Sequence, residues 1–318
     1  MFDNNPIPVT AGHNNPKVNT LCNPDPYMIY HDGWYYSYTT GWEGVNVLRS
    51  QDLQSFEHMG YALSREDQLA YWAPAVIFYE GKFYMYYSSI PDGETDPHLG
   101  YMKVAVADNP LGPFEYQKTL FDKFTIDADV VVQNNELYLF YVAMSSANGK
   151  DGVMIFLDKL LDPFTLEGKP RMVVAPTIEE EVFIRNRFGD GKDWYTIEAP
   201  CYFERGGVGF LLYSGNAFMH EDYFVGYATC DAGLPLSEAV FQKHPSDHVY
   251  APLIGKDEFM TGCGHNSVVQ GPNGELLMAY HGRDRTETVA AGADDGRRIC
   301  ISELEVDGKN LKVVRRKF

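Results

Sequence analysis

Five side chains capable of chemistry recur at one phase of this sequence. Asp25 lies eight residues before Gly33, Trp72 nine before Gly81 and Asp127 eight before Asn135. Glu198 lies nine before Gly207, and His265 nine before Gly274. Each reference residue belongs to a Gly- or Asn-rich pair between two runs of strand formers, the mark of a hairpin turn. Three carboxylates, an indole and an imidazole therefore open equivalent strands. Two carboxyls flanking a glycosidic bond can break it: one gives a proton while the other activates water or attacks carbon. A third carboxylate beside the acid raises its pKa by like-charge repulsion and keeps it protonated near neutrality. The face of Trp72 suits the apolar side of a sugar ring.

Alone, each residue has an ordinary reading. Asp25 stands between Pro24 and Pro26, as turn residues do. Asp127 and Asp129 alternate as on a solvated strand face. Trp72 would be core, and His265 a hydrogen-bonded structural histidine. Glu198 differs, because Ile197, Ala199 and Pro200 around it imply burial, and a lone buried carboxylate is expensive. The shared phase is what joins the five into one site.

The elements that must position them are hairpins. Tyr27-Met-Ile-Tyr30 turns at Asp32-Gly33 into Trp34-Tyr-Tyr-Ser-Tyr38, and Val76-Ile-Phe-Tyr79 turns at Glu80-Gly81 into Phe83-Tyr-Met-Tyr-Tyr87. Similar pairs turn at Asn134-Asn135, Gly206-Gly207 and Asn273-Gly274. A second hairpin follows each: 45–50 leads to Phe56, 104–107 to Phe114, 153–156 to Phe164, 224–229 to Phe241 and 298–302 to Leu311. The unit recurs every 48 to 72 residues, so the longer units carry insertions, and the charged stretch 177–195 is the expected one. Radial repetition of four-stranded units predicts an all-β fold, a five-bladed β-propeller forming a single catalytic domain over 1–318. First strands line the axis of a propeller, so their starts converge on one pocket.

The net charge of −18 repels nucleic acid and anionic membranes and leaves a neutral partner such as an oligosaccharide. The five cysteines are widely spaced with no C-x-x-C pair, the N-terminal residues resemble no leader, and no apolar run suits a membrane span; these features predict a cytoplasmic protein. No G-x-S-x-G elbow, Walker A run, G-x-G-x-x-G or zinc spacing is present. Cys263 with His265 lacks a third partner for thiol catalysis, and His220-Glu221-Asp222 reads as a polar loop.

One ordered set of short motifs resembles glycoside hydrolase family 43, the five-bladed arabinofuranosidases, xylosidases and arabinanases. It comprises Asp25-Pro-Tyr27, Ser50-Gln-Asp-Leu-Gln-Ser-Phe56, Trp72-Ala-Pro74, Gly112-Pro-Phe114, Ile126-Asp127, Glu198-Ala-Pro200 and Gly264-His265-Asn-Ser267. The resemblance runs from Asn23 to about Gly308. It implies an inverting mechanism with Asp25 as general base, Glu198 as general acid and Asp127 tuning and orienting the acid. It also implies His265 near the axis beside a water or a calcium ion, held through water, and an arginine of the last blade reaching the sugar: Arg297, or next Arg298. Many β-xylosidases of the family add a C-terminal β-sandwich, whereas this chain ends with its fifth blade. An exo-acting α-L-arabinofuranosidase on arabino-oligosaccharides or arabinoxylan-derived oligosaccharides is therefore expected. β-Xylosidase and endo-arabinanase activity, and a non-catalytic sugar-binding propeller, are the alternatives. A retaining fructosidase-type propeller would carry Asn-Asp-Pro-Asn-Gly and Arg-Asp-Pro stretches, which are absent.

Overall fold

The computed structural model describes residues 5–12, 21–285 and 296–314. The described chain is built from antiparallel four-stranded units whose innermost strands are Tyr27–His31, Gln68–Tyr79, Thr125–Gln133, Trp194–Arg205 and Met260–Gln270. Each inner strand touches the next, and the fifth touches the first, so the five units close into a ring. We number the units as blades 1 to 5 in chain order.

The turns form for the reason their residues suggested. Both central residues have positive φ at Asp32-Gly33, Glu80-Gly81, Asn134-Asn135 and Gly206-Gly207, the twist that suits a two-residue hairpin. Blade 5 departs from this. Its first hairpin closes through a longer loop in which the Gly271 N–H donates to the Glu275 carbonyl.

No single core serves the molecule. Apolar side chains gather in five clusters, one in each gap between neighbouring blades. The strand Lys82–Pro91 shows how the sequence arranges this. Phe83, Met85 and Tyr87 point into the gap with blade 1, while Tyr84 and Tyr86 point into the gap with blade 3. Successive side chains face opposite sides of a sheet, so a blade covered on both faces reads as an unbroken aromatic run rather than an alternating one.

Two additions to the repeat matter. The expected insertion is present: Val182–Ile184 pairs with the start of the blade 4 inner strand, Val182 opposite Tyr195. Glu181 anchors it from a fully buried position. Its carboxylate accepts from Lys243 Nζ at 2.6 Å and from the Thr177 and Ile178 N–H groups. Removing either partner of such a buried pair costs about 3–5 kcal/mol, because the other charge is left uncompensated. Beside the insertion, 151–153 of blade 3 pairs in parallel with 194–196. Gly152 is needed there, because a Cβ would collide with the Tyr195 carbonyl.

The second addition was not anticipated. Val9–Ala11 pairs in parallel with the outer strand of blade 1, Val9 opposite Phe56. Just upstream, the Ile7 N–H donates to the Ile299 carbonyl of blade 5, and the Asn5 amide makes two 2.8 Å bonds to the Ile301 backbone. This segment clasps the first blade to the last.

Candidate active site

Every inner strand begins with the same bulge. Trp72 pairs with Ser88 and Ala75 with Tyr86, so three steps on one strand meet two on the other. The same slip separates Ile126 from Asp129, Glu198 from Cys201, and Gly264 from Ser267. In blade 1 the Thr40 N–H reaches the Pro24 carbonyl before the regular pairing of Tyr27 with Tyr38. The extra residue allows a left-handed kink, with φ of 56° at Asp25, 45° at Ala73, 58° at Asp127, 53° at Ala199 and 51° at His265. Asp25, Asp127 and His265 occupy the kink itself, and Trp72 and Glu198 the residue before it. That is why the spacing to the turn alternates between eight and nine in the first four blades. His265 is at nine because its hairpin loop is longer.

The kinks leave backbone N–H groups facing the axis, where burial demands a partner. The preceding blade supplies one. Ala73 donates to Thr40 Oγ1 at 2.9 Å, His265 to Ser214 Oγ at 2.8 Å and Asp25 to His281 Nδ1 at 3.2 Å. Thr40, Ser214 and His281 stand at equivalent places on second strands. In blade 3 that place holds apolar Val142, and the Ala199 N–H is taken instead by Asp127 Oδ2 at 2.9 Å. Asp127 thus fixes the backbone adjoining Glu198.

These side chains meet in one pocket of about 400 Å³. Asp25, Trp72, Asp127, Glu198, His265 and Arg297 all line it, so the expected residues are brought together. Arg298, the second arginine candidate, lies on the strand just beyond and does not line the pocket. Asp129 is buried, not on a solvated face; it accepts from the Tyr27 hydroxyl at 2.8 Å and the Tyr202 N–H at 2.7 Å, and burial pushes its carboxyl up to about 6.

The two flanking carboxyls are held in opposite states. Burial alone would raise Asp25. Arg297, whose Nη1 donates to Oδ1 at 2.9 Å, outweighs it together with His265, whose ring lies 3.3 Å away, and holds Asp25 well below the usual carboxylate range. Thr40 donates to the other oxygen at 2.6 Å. Glu198 is pushed up to about 7, chiefly by burial and then by the Asp25 charge, against the opposing Tyr223 hydrogen bond of 2.6 Å. Burial, with Glu198 beside it, likewise lifts Asp127 to about 7. The like charge that raises Glu198 is that of Asp25 rather than the expected Asp127, and it is secondary to desolvation.

Tyr223, His281 and Thr40 are site residues that the count back from the turns does not reach. Burial pushes His281 down to about 3, so it is a neutral ring, and it stacks on Tyr223 with the planes 9° apart. Gly264 makes this possible, because a Cβ there would strike the Tyr223 ring. The Tyr223 hydroxyl favours ionised Glu198. Tyr223→Phe should therefore raise the Glu198 pKa and move the alkaline limb of the pH–kcat/KM profile upward, by about one unit at most. A limb that stays in place would show that the hydroxyl does not act on Glu198.

Calcium finds few protein donors here. Among the described residues no three His, Cys, Asp or Glu side chains are grouped to hold an ion. Below the pocket lies an axial cavity of about 10 Å³, beside Asp25, Asp127, His265 and the unpartnered Asn266 amide. It has room for one water at most, not for a hydrated hard cation. A cation at His265 would have to sit on the pocket side and bring its own waters.

A closed ring of five blades, with a pocket of paired carboxyls at the axis, defines the class: a propeller of the glycoside hydrolase type. The chain belongs to glycosyl hydrolases family 43, whose profile matches residues 14–310. It is 25% identical over 279 residues to an extracellular exo-alpha-(1->5)-L-arabinofuranosidase of Streptomyces avermitilis, covering 82% of this chain and 54% of the relative. The chain thus spans about half the length of that relative. A protein of the same description from Streptomyces chartreusis is 25% identical over 303 residues, covering 89% of this chain and 86% of the other. A crystal structure of a thermostable family-43 glycoside hydrolase superposes with a TM-score of 0.74 at 30% identity, covering 92% of each chain.

The cytoplasmic expectation is corrected by these relatives, since both are extracellular proteins. The cysteines misled for a physical reason. Cys201, Cys230, Cys263 and Cys300 are buried and joined in no disulfide, and such cysteines behave as small hydrophobes whatever the compartment.

Proposed function

We propose that this propeller is the catalytic unit of an exo-acting, inverting α-L-arabinofuranosidase that releases terminal pentose from arabino-oligosaccharides or arabinoxylan-derived oligosaccharides. The observation that carries the reading is the opposed protonation of Asp25 and Glu198 in one pocket. An ionised Asp25 takes a proton from water as its oxygen attacks the anomeric carbon. Glu198, protonated up to about pH 7, gives its proton to the glycosidic oxygen as that bond breaks. Proton exchange with solvent then restores both groups. Asp127 holds the backbone beside the acid through Ala199. Trp72 offers its face to the sugar, and Arg297 keeps Asp25 charged. The relatives named as arabinofuranosidases support the choice of sugar.

A panel of nitrophenyl arabinofuranoside, xyloside and galactoside tests it. Arabinofuranoside should be cleaved fastest, and proton NMR should show the first-formed sugar with inverted configuration. Preference for xyloside would move the assignment to a β-xylosidase, and hydrolysis of internal linkages in arabinan to an endo-arabinanase. A retained anomer would make Asp25 a nucleophile and overturn the mechanism. No turnover on any glycoside would leave a sugar-binding propeller.

A further inference from the structure

The insertion before blade 4 places an arginine in the pocket wall without an acid to pair with it. Arg187 lines the pocket beside Phe183 and Trp194. Its guanidinium lies 4.8 Å from the Trp194 ring centroid, 5.3 Å from Phe188 and 5.6 Å from Phe183. No hydrogen bond or ion pair to it occurs among the described residues. Acids were within reach of this loop, since Arg185, two residues away, binds Glu179 and Asp193. In a chain with 44 acidic and 26 basic residues, an arginine left with aromatic neighbours alone is an exception. Burial pushes its pKa down, and no counter-charge offsets that cost.

Rings around a guanidinium hold it by cation–π attraction yet satisfy none of its in-plane N–H donors. Those donors form a fork that matches a carboxylate with two parallel hydrogen bonds. A neutral hydroxyl would use one donor and leave the charge unanswered. The loop is also well anchored, through buried Glu181 and the pairing of Val182 with Tyr195. The arginine is therefore positioned before any ligand arrives.

We infer that Arg187 forms a carboxylate-binding subsite at the pocket mouth, which receives a uronic acid on the leaving-group side of the scissile bond. The placement rests on the exo reading above. The pentose then sits at the bottom by Asp25, and the rest of the glycan passes the stretch 183–194 on its way out. The half-exposed edge of the cage, Phe188 at 64% exposure, would be covered by the sugar ring that carries the carboxylate.

Two matched oligosaccharides test this, each ending in the same arabinofuranose, with a neutral sugar next to it in one and a uronic acid in the other. The enzyme should favour the acidic one by roughly tenfold in kcat/KM, the size of one good charged hydrogen-bonded contact. The preference should shrink as salt rises from about 0.05 to about 0.5 M. Arg187→Gln should bring the ratio of the two substrates to about one, and Arg187→Lys should keep part of it. Equal rates in the unmodified enzyme, or a ratio that survives Arg187→Gln, would overturn the subsite. If nitrophenyl arabinofuranoside is not cleaved at all, the proposed function fails, not the subsite. Calorimetry with methyl glucuronide and methyl glucoside then decides the subsite: the glucuronide should bind more tightly, and only with Arg187 present. Equal binding of the two would end the proposal.

Discussion

Replacing Asp25 with alanine should abolish turnover on every glycoside, whatever its leaving group. Water must be deprotonated in each case, and the other two pocket carboxyls are not held ionised as Asp25 is: Glu198 and Asp127 are both lifted to about 7. Glu198→Ala should behave differently. A sugar leaving group needs a proton, whereas a nitrophenolate departs with little help. The loss should therefore reach about 10²–10⁴-fold on oligosaccharides and be far smaller on nitrophenyl arabinofuranoside. Steady-state kinetics of both variants on both substrates make the comparison. Equal losses for Glu198→Ala on both, or an Asp25→Ala enzyme that still cleaves the aryl glycoside, would show that the roles are wrongly assigned. Thermal unfolding should accompany the kinetics, because Asp25→Ala also removes the carboxylate to which Arg297 Nη1 donates.

The second large effect belongs to Arg297. Its guanidinium is the strongest of the influences that lower Asp25, and it also lowers Glu198. Arg297→Met removes both. Both pKa values should rise, so both limbs of the pH–kcat/KM bell should move to higher pH, the acid limb by more than the alkaline one. The loss should be largest on the acid side of the bell, where more of Asp25 would then be protonated, and there should approach about 10²-fold or more. Arg297→Lys keeps a charge and should retain much of the original profile. A bell that falls in height without moving would confine Arg297 to substrate contact. Stability carries the same sign. A carboxyl with a depressed folded pKa stabilises the fold above its unfolded value, near 3.9, and that stability is lost as pH falls through the folded value. The Arg297→Met protein should therefore lose part of this contribution at neutral pH.

Much of this architecture was legible because each blade spends its residues in the same way. Turn pairs with positive φ, such as Asp32-Gly33, mark the hairpins, and the doubly buried second strands mark themselves as aromatic runs. The count back from the turn found Asp25, Trp72, Asp127, Glu198 and His265 because the bulge stands at a fixed distance from the turn. The same count run forward would have found more. Thr40, Ser88, Val142, Ser214 and His281 each lie seven residues after the reference residue of their hairpin, and they form the second tier of the site. Tyr223 has no such signature. It reaches Glu198 from the connection into the third strand of blade 4, admitted by the missing side chain of Gly264, and neither fact is periodic. Arg187 was hidden for a different reason. A charged insertion reads as solvated surface until its partners are known, and here the acids bind Arg185 instead.

The clasp between Asn5, Ile7 and blade 5 has a consequence for how the molecule is made. The Asn5 amide and the Ile301 backbone that it binds are 296 residues apart in the sequence. Its berth therefore does not exist until blade 5 has followed the other four. Until then the facing sides of blades 1 and 5 are uncovered, with Met28, Tyr35, Leu277 and Ile299 open to solvent. Bringing together ends that far apart costs loop entropy, but this grows only with the logarithm of length. The more serious exposure is kinetic: a nearly finished ring with two sticky faces and a loose first strand. Proteases and neighbouring nascent chains would meet the protein in that interval, and the clasp ends it.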